Sequence, residues 1–273
     1  MPISAIEIHT LSFAYEGQST ILQIPQLQVL RGERVGIVGC NGVGKTTLFH
    51  LLCGLLQPVQ GSIAVFENPV ISGAFSPDVG FVFQNPEDQL FSPSVWEEVA
   101  FGPGNMGLSN EEIGQRVHRA LAFTGTESLL HLPPHHLSGG QKRMVAIASV
   151  LALEPRLMIY DEPSANLDLR ARRRLIQLLL ASGETMLVSS HDLELIREVC
   201  DRVLVLDQGQ VVADGATVAI LADRGLMEHH GLEVPASLEQ EAQKLDSQGL
   251  GIQGLDVQSL GVPELPVPFP YLQ

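Results

Sequence analysis

Arg34-Val35-Gly36-Ile37-Val38-Gly39 reads as a buried strand that runs straight into Gly39-Cys40-Asn41-Gly42-Val43-Gly44-Lys45-Thr46, a G-x-x-x-x-G-K-[ST] pattern. Strand, glycine loop and then helix is an order that few folds accommodate. Glycines let the main chain wrap an anion closely, so that successive N–H groups and the positive end of the helix face it. Lys45 would bridge the β- and γ-phosphates of a nucleotide, and the Thr46 hydroxyl would ligate Mg2+.

Two further elements extend this half-site. The apolar run Leu157-Met158-Ile159-Tyr160 ends in Asp161-Glu162 and belongs on a strand ending beside the phosphate loop. Asp161 would hold Mg2+ through water, and Glu162 would polarise the attacking water as general base. Alone, such a pair is equally a solvated strand end; Lys45 favours the catalytic role. Between the two halves stands Leu137-Ser138-Gly139-Gly140-Gln141, at a predicted helix start that makes a second anion site. A compact subunit has no room for two helix ends on opposite sides of one γ-phosphate unless a second subunit supplies one.

With these three elements the chain resembles the ATP-binding cassette (ABC) ATPases. The resemblance implies an α/β fold: a P-loop NTPase (RecA-like) core, an N-terminal antiparallel β subdomain, a helical subdomain and a C-terminal extension. It implies ATP and Mg2+ as cofactors, and a head-to-tail dimer with a second ATPase protomer, identical or paralogous, whose ATP is closed over by Leu137 to Gln141. The implied ATP-binding set is Tyr15, Gly39, Cys40, Asn41, Gly42, Val43, Gly44, Lys45, Thr46 and Thr47. Tyr15 would stack on adenine, although an isolated tyrosine fits a core edge as well. Gln84 would touch Mg2+ or water and sense a membrane partner, completing a metal set with Thr46 and Asp161. His191 would contact the γ-phosphate beside Glu162, and Ser164 to Asp168 matches the loop that passes between protomers.

The stretch Phe81-Val82-Phe83-Gln84-Asn85-Pro86-Glu87-Asp88-Gln89-Leu90-Phe91, followed by Val99-Ala100-Phe101-Gly102-Pro103, is similar to the ATPases of energy-coupling-factor importers, and Leu226 to Glu233 to their cobalt-type members. Such systems import cobalt, nickel or vitamins with an integral membrane coupling protein and a substrate-binding membrane protein. That places the chain at the cytoplasmic face of the cell membrane. Conventional permease ATPases and soluble ABC ATPases of DNA maintenance or translation are the alternatives. Against the DNA class, only 93 residues separate Lys45 from Ser138, room for a small helical subdomain but no long coiled coil. Translation members carry two cassettes, whereas this chain has one. An ATP-gated scaffold is disfavoured by Glu162 and His191, and no Asn-Lys-x-Asp guanine motif occurs.

Composition narrows the partners. A net charge of −15 argues against nucleic acid, which favours a basic stripe. Apolar stretches stay at about ten residues or fewer, whereas a bilayer span needs roughly 20, and no secretory signal is visible at Met1-Pro2-Ile3-Ser4. Cys40, Cys53 and Cys200 are too few and scattered for a disulfide framework or a zinc pattern, which fits a reducing compartment. The Cys40 thiol would lie near a helix N-terminus and Lys45, an arrangement favouring thiolate; a plain small-residue role competes. His229-His230 makes a poor chelate on a helix and better marks a helix end closed by Gly231.

Along the chain, strands are expected within Ile3–Tyr15 and at Ser62–Phe66, Val79–Phe83, Leu157–Asp161 and Thr185–Ser189, with a hairpin of Val203–Asp207 and Gln210–Asp214. Helices are expected at Lys45–Leu56, within Ser94–His131 (clearest at Glu111–Phe123), after Gly140, and at Leu169–Leu180. An ATPase domain at 1–227, with its helical subdomain at about 94–153, would precede an extension at 228–273 that carries seven acids against one lysine. Pro263 to Pro270 would be an extended tail.

Overall fold

The computed structural model describes residues 3–247, and the tail at Pro263–Pro270 lies outside them. Four strands, β1 (Ser4–Phe13), β2 (Leu22–Leu30), β4 (Gln60–Val65) and β5 (Asn68–Pro69), form an antiparallel sheet in the order β2-β1-β4-β5. The sequence expectation omits β2, and the structure shows why. Leu22 and Ile24 face the core, but so do Leu27 and Val29, so the alternation slips by one residue around Pro25. Its neighbour β1 slips at the same level: Ile6 and Ile8 are buried, then Leu11 and Phe13, with Thr10 at φ +51° and a register shift against β4. Both strands thus keep their apolar side inward across a bend that hides period-two patterning.

The second sheet has the order β10-β9-β3-β8-β7-β6. Parallel strands β3 (Arg34–Val38), β6 (Val79–Val82), β7 (Leu157–Asp161), β8 (Thr185–Ser189) and β9 (Arg202–Asp207) form its body, with β10 (Gln210–Ala216) antiparallel at the edge. Every residue of β3, β7 and β8 is buried, the signature of a sheet covered on both faces. One face packs on the antiparallel sheet and on α1 (Lys45–Leu52), through Ile37, Phe49, Leu52, Ile159 and Leu204. The chain turns at Gly54, so α1 stops short of the expected Leu56.

The opposite face carries the remaining helices. α2 (Val95–Asn105), α3 (Asn110–Thr124) and α4 (Gly139–Leu151) form the helical subdomain, joined through Val99, Val117, Leu121 and Ile147. Ser109 and Glu112 close a capping box at the start of α3, which gives that helix a sharp beginning. α5 (Leu169–Ala181), α6 (Leu193–Val199), α7 (Thr217–Ala222), α8 (Arg224–His229) and α9 (Ala236–Ser247) complete this face. The expected boundary at 227/228 falls inside α8, and Met227 and Leu238 are buried in one and the same cluster. Ser237 donates from both its N–H and Oγ to Glu194 of α6 (2.9 and 2.6 Å), and Arg197 pairs with Glu241 at 2.5 Å. No helix among the described residues is long and apolar enough to cross a membrane.

Candidate nucleotide site

The phosphate loop leaves β3 at the carboxyl ends of the parallel strands and enters α1. Two of its glycines have no substitute. A Cβ on Gly39 would stand 2.1 Å from the Leu206 carbonyl oxygen, and Gly44 holds φ +107° against the Leu22 side chain. Lys45 folds back inside the loop and donates to the carbonyls of Gly39 (2.7 Å) and Cys40 (3.1 Å). Burial pulls its ammonium below the usual lysine value, against the opposing fields of Glu162, Asp161 and Cys40. An arriving phosphate would supply the counter-charge this lysine otherwise borrows from main-chain oxygens.

β7 does not adjoin β3, because β8 stands between them. The gap is bridged by side chains. Thr46 Oγ1 donates to Asp161 Oδ2 at 2.7 Å, while Ser189 of β8 donates to Oδ1 at 2.6 Å. Ser189 Oγ also accepts from the Glu162 N–H at 3.1 Å. The parallel register that sets Asp161 beside Ser189 makes this residue part of the site, although nothing in the sequence singles it out.

Glu162 sits at φ +46°, a left-handed conformation that costs a non-glycine residue about 1 kcal/mol or more. The turn directs its carboxylate inward. Oε2 accepts from the His191 main-chain N–H at 3.0 Å, whereas Oε1 is buried without a hydrogen-bond partner. The His191 ring lies 3.5 Å from that oxygen and shares a 2.8 Å hydrogen bond with the Asn41 amide oxygen of the phosphate loop.

These groups line a cavity of about 340 Å3, bounded by Tyr15, Ile21, Asn41, Gly42, Gly44, Lys45, Thr46, Thr47, Gln84, Asp161, Glu162 and His191. Tyr15 forms the outer wall, its ring edge-on to Phe13 at 4.9 Å and its hydroxyl 3.4 Å from Thr47 Oγ1. Sequence-predicted residues from five separate elements therefore meet in one place. Others lie elsewhere. Ser138 caps α4 in a capping box with Gln141; it and Gly139 are exposed and do not line the cavity. Asp168 caps α5 through the Ala171 N–H, and Ser164 Oγ lies 3.3 Å from Ser190 Oγ. Leu137 is buried beneath the α4 start.

Cys40 also makes contacts beyond the phosphate loop. Its thiol turns to the end of α8, with Sγ 3.4 Å from the His230 carbonyl oxygen and 3.6 Å from that of Gly231, a contact that uses the thiol hydrogen. His230 in turn shares a 2.9 Å hydrogen bond with Asp207. The helix ends as expected at His229, with Gly231 at φ +69°, and among the described residues no group of three or more His, Cys, Asp or Glu side chains could hold a metal.

Sheet order, phosphate loop and acidic strand end together define a nucleotide-hydrolysing domain of the ABC type. The family profile described as ABC transporter matches residues 22–165, and the chain belongs to that family. It is an ATPase by that membership. It is 55% identical over 234 residues to a Synechocystis sp. protein provisionally named an ABC transporter ATP-binding protein, covering 86% of this chain and 82% of that one. It is 41% identical to the energy-coupling factor transporter ATP-binding protein EcfA of Methanothermobacter thermautotrophicus, over 86% of this chain and 78% of the relative. Among solved structures it is similar to cbiO1 from Clostridium perfringens, part of the ABC transporter complex cbiONQ. That match has a TM-score of 0.74 and 35% identity, over 88% of this chain and 99% of the other.

Proposed function

We propose that this chain is the ATP-hydrolysing subunit of an energy-coupling-factor-type importer for cobalt, nickel or a vitamin. The observation that carries the catalytic part is Glu162 Oε1, buried, without a hydrogen-bond partner and beside the cavity that Lys45 and Asp161 also line. A carboxylate oxygen left free at that point can accept the proton of a water attacking the γ-phosphate. Lys45 and the loop N–H groups bind the phosphates, Thr47 and Tyr15 border the nucleoside side, and His191 reaches across from Asn41 to the γ-phosphate. Thr46, Asp161 and Gln84 offer the hard oxygen donors that suit Mg2+, and their convergence on one cavity fits that ion. When bound, the ion would neutralise phosphate charge.

The exposed N-terminus of α4 calls for a second protomer. The Ser138 N–H is taken by Gln141 Oε1 at 2.9 Å, whereas Gly139 is exposed in the first turn, where a partner's ATP would meet it, and Ala165, Asn166 and Leu167 line one groove with Gly139 and Gln84. The importer reading is supported by the names of the relatives EcfA and cbiO1 and by an exposed apolar pair in the stretch that follows Gln84. There Phe91 and Phe101 are exposed and packed edge to face at 5.0 Å, an apolar pair available to a membrane coupling protein.

The test is a tagged purification from detergent-solubilised native membranes, with mass spectrometry of the retained proteins. A coupling protein together with a small substrate-binding membrane protein is the expected result, and the latter identifies the cargo class. Two conventional permease subunits, or soluble companions alone, would overturn the importer type and leave the ATPase chemistry in place.

A further inference from the structure

Arg143 is one of the largest fully buried side chains of the protein, only 1% exposed, and it makes no ion pair among the described residues. Its guanidinium is spent on main chain. Nη1 donates to the Phe83 carbonyl at 2.6 Å and Nη2 to the Gln84 carbonyl at 2.5 Å, while the buried Nε has no partner. Burial lowers its pKa to about 10, with Asp161 pulling the other way. A cation is a costly donor in such a place, since a neutral amide could satisfy a carbonyl with less desolvation. What the guanidinium adds is geometry: two donors in a rigid plane fix two successive carbonyls at once. Those carbonyls lie just past Val82, where the β6 ladder has ended.

Two more side chains bind the same loop to the same helix. Lys142, which as a lone residue reads as an exposed helix position, pairs with Glu87. Gln89 accepts from the Phe83 N–H at 3.1 Å and donates to Ala146 O at 2.8 Å and Ser149 Oγ at 3.2 Å. Residues 83–89 are therefore fastened along α4, whose first turn is Ser138 to Gln141.

We infer that Arg143 is a positioning residue for Gln84. It fixes the loop that brings Gln84 to the cavity onto the helix whose N-terminus meets the partner's ATP, so that both contacts of one protomer move as a single body. The inference rests on the role proposed above for Gln84.

A double-mutant cycle in the full-length protein tests this, reading ATP turnover, the Mg2+ concentration for half-maximal rate, and binding of a fluorescent ATP analogue. Arg143→Met is expected to lower kcat about tenfold with analogue Kd within about twofold, and to raise the Mg2+ requirement. Gln84→Ala should cost a similar factor, and the double variant should be no slower than Gln84→Ala alone, because the two act as one unit. Arg143→Lys keeps the charge without the fork and should recover only part of the rate; it replaces Arg143→Met in the cycle if that variant does not fold. Losses that multiply in the double variant, or full recovery by lysine, overturn the positioning role while Gln84 keeps its own. Unchanged turnover in Gln84→Ala overturns the Gln84 assignment itself.

Discussion

The main-chain N–H of His191 holds one carboxylate oxygen of Glu162 at 3.0 Å and leaves the other buried without a hydrogen bond. Holding one oxygen fixes where the second points. In the proposed role of general base, a carboxylate held in this way would lose little entropy on reaching the transition state.

Glu162→Gln keeps the shape of that side chain and removes its basicity. ATP should still bind and the dimer should accumulate, while hydrolysis slows at least about a hundredfold, a barrier rise of about 3 kcal/mol. Turnover under ATP, with size-exclusion chromatography for the dimer, reads both. Retained turnover would remove Glu162 from the role of general base.

Because Lys45 and Ser138 lie on separate surfaces of one chain, two inactive variants should complement each other. Lys45→Ala should fail to hold ATP, and Ser138→Arg should bind ATP without hydrolysing it. In an equimolar mixture, half of randomly formed dimers contain one intact composite site. Mixing should therefore restore activity to about a quarter of that of the wild type, if each site acts alone. A mixture as inactive as its components would argue against shared sites.

Burial pushes the Cys53 thiol up to about 12 and the Cys200 thiol higher still, so neither reacts readily at neutral pH. N-ethylmaleimide should then label Cys40 first. An adduct there would displace the His230-Gly231 turn from the phosphate loop and block hydrolysis, and bound ATP should slow the labelling by ordering the loop. Peptide mapping with parallel ATPase assays decides this. Full activity in the singly labelled protein would make Cys40 a mere space-filler.

Glu184 gives a pH signature. Its carboxyl is raised above the ordinary value of 4.5 by burial, and Oε2 has no hydrogen-bond partner. Between 4.5 and the raised value the folded state binds more protons than the unfolded chain, so stability falls as pH rises through that window. Above that window the penalty is fully present. Glu184→Gln should therefore raise Tm by a few degrees at pH 7, with a smaller gain at pH 4, as measured by calorimetry. An equal gain at both values would place the effect in packing rather than charge.

Much of this was readable in the linear chain wherever short-range chemistry decides the outcome. The strands Leu157–Asp161 and Thr185–Ser189 occupy the residues that their apolar runs mark, because a doubly covered strand needs no pattern beyond being apolar. The phosphate loop and Ser138 carry their own turn and cap signals. By contrast, α6, α7 and α8 are six or seven residues long, too short to show a helical period. β2 is hidden by the slip at Pro25. Ser189 and Arg143 contribute through contacts 28 and 60 residues away in sequence, which only strand register and helix packing create.

The parallel sheet, buried on both faces, divides the interior into two compartments. α1, with the helical end of the phosphate loop, is seated in one; α4, with Ser138 at its tip, is seated in the other. The sheet is thus a bulkhead. Side chains packed around α1 and side chains packed around α4 are kept apart by that layer of strands. The helix that carries Lys45 and the helix that carries Ser138 therefore rest on separate foundations, and a change in the packing of one need not pass through the core of the other.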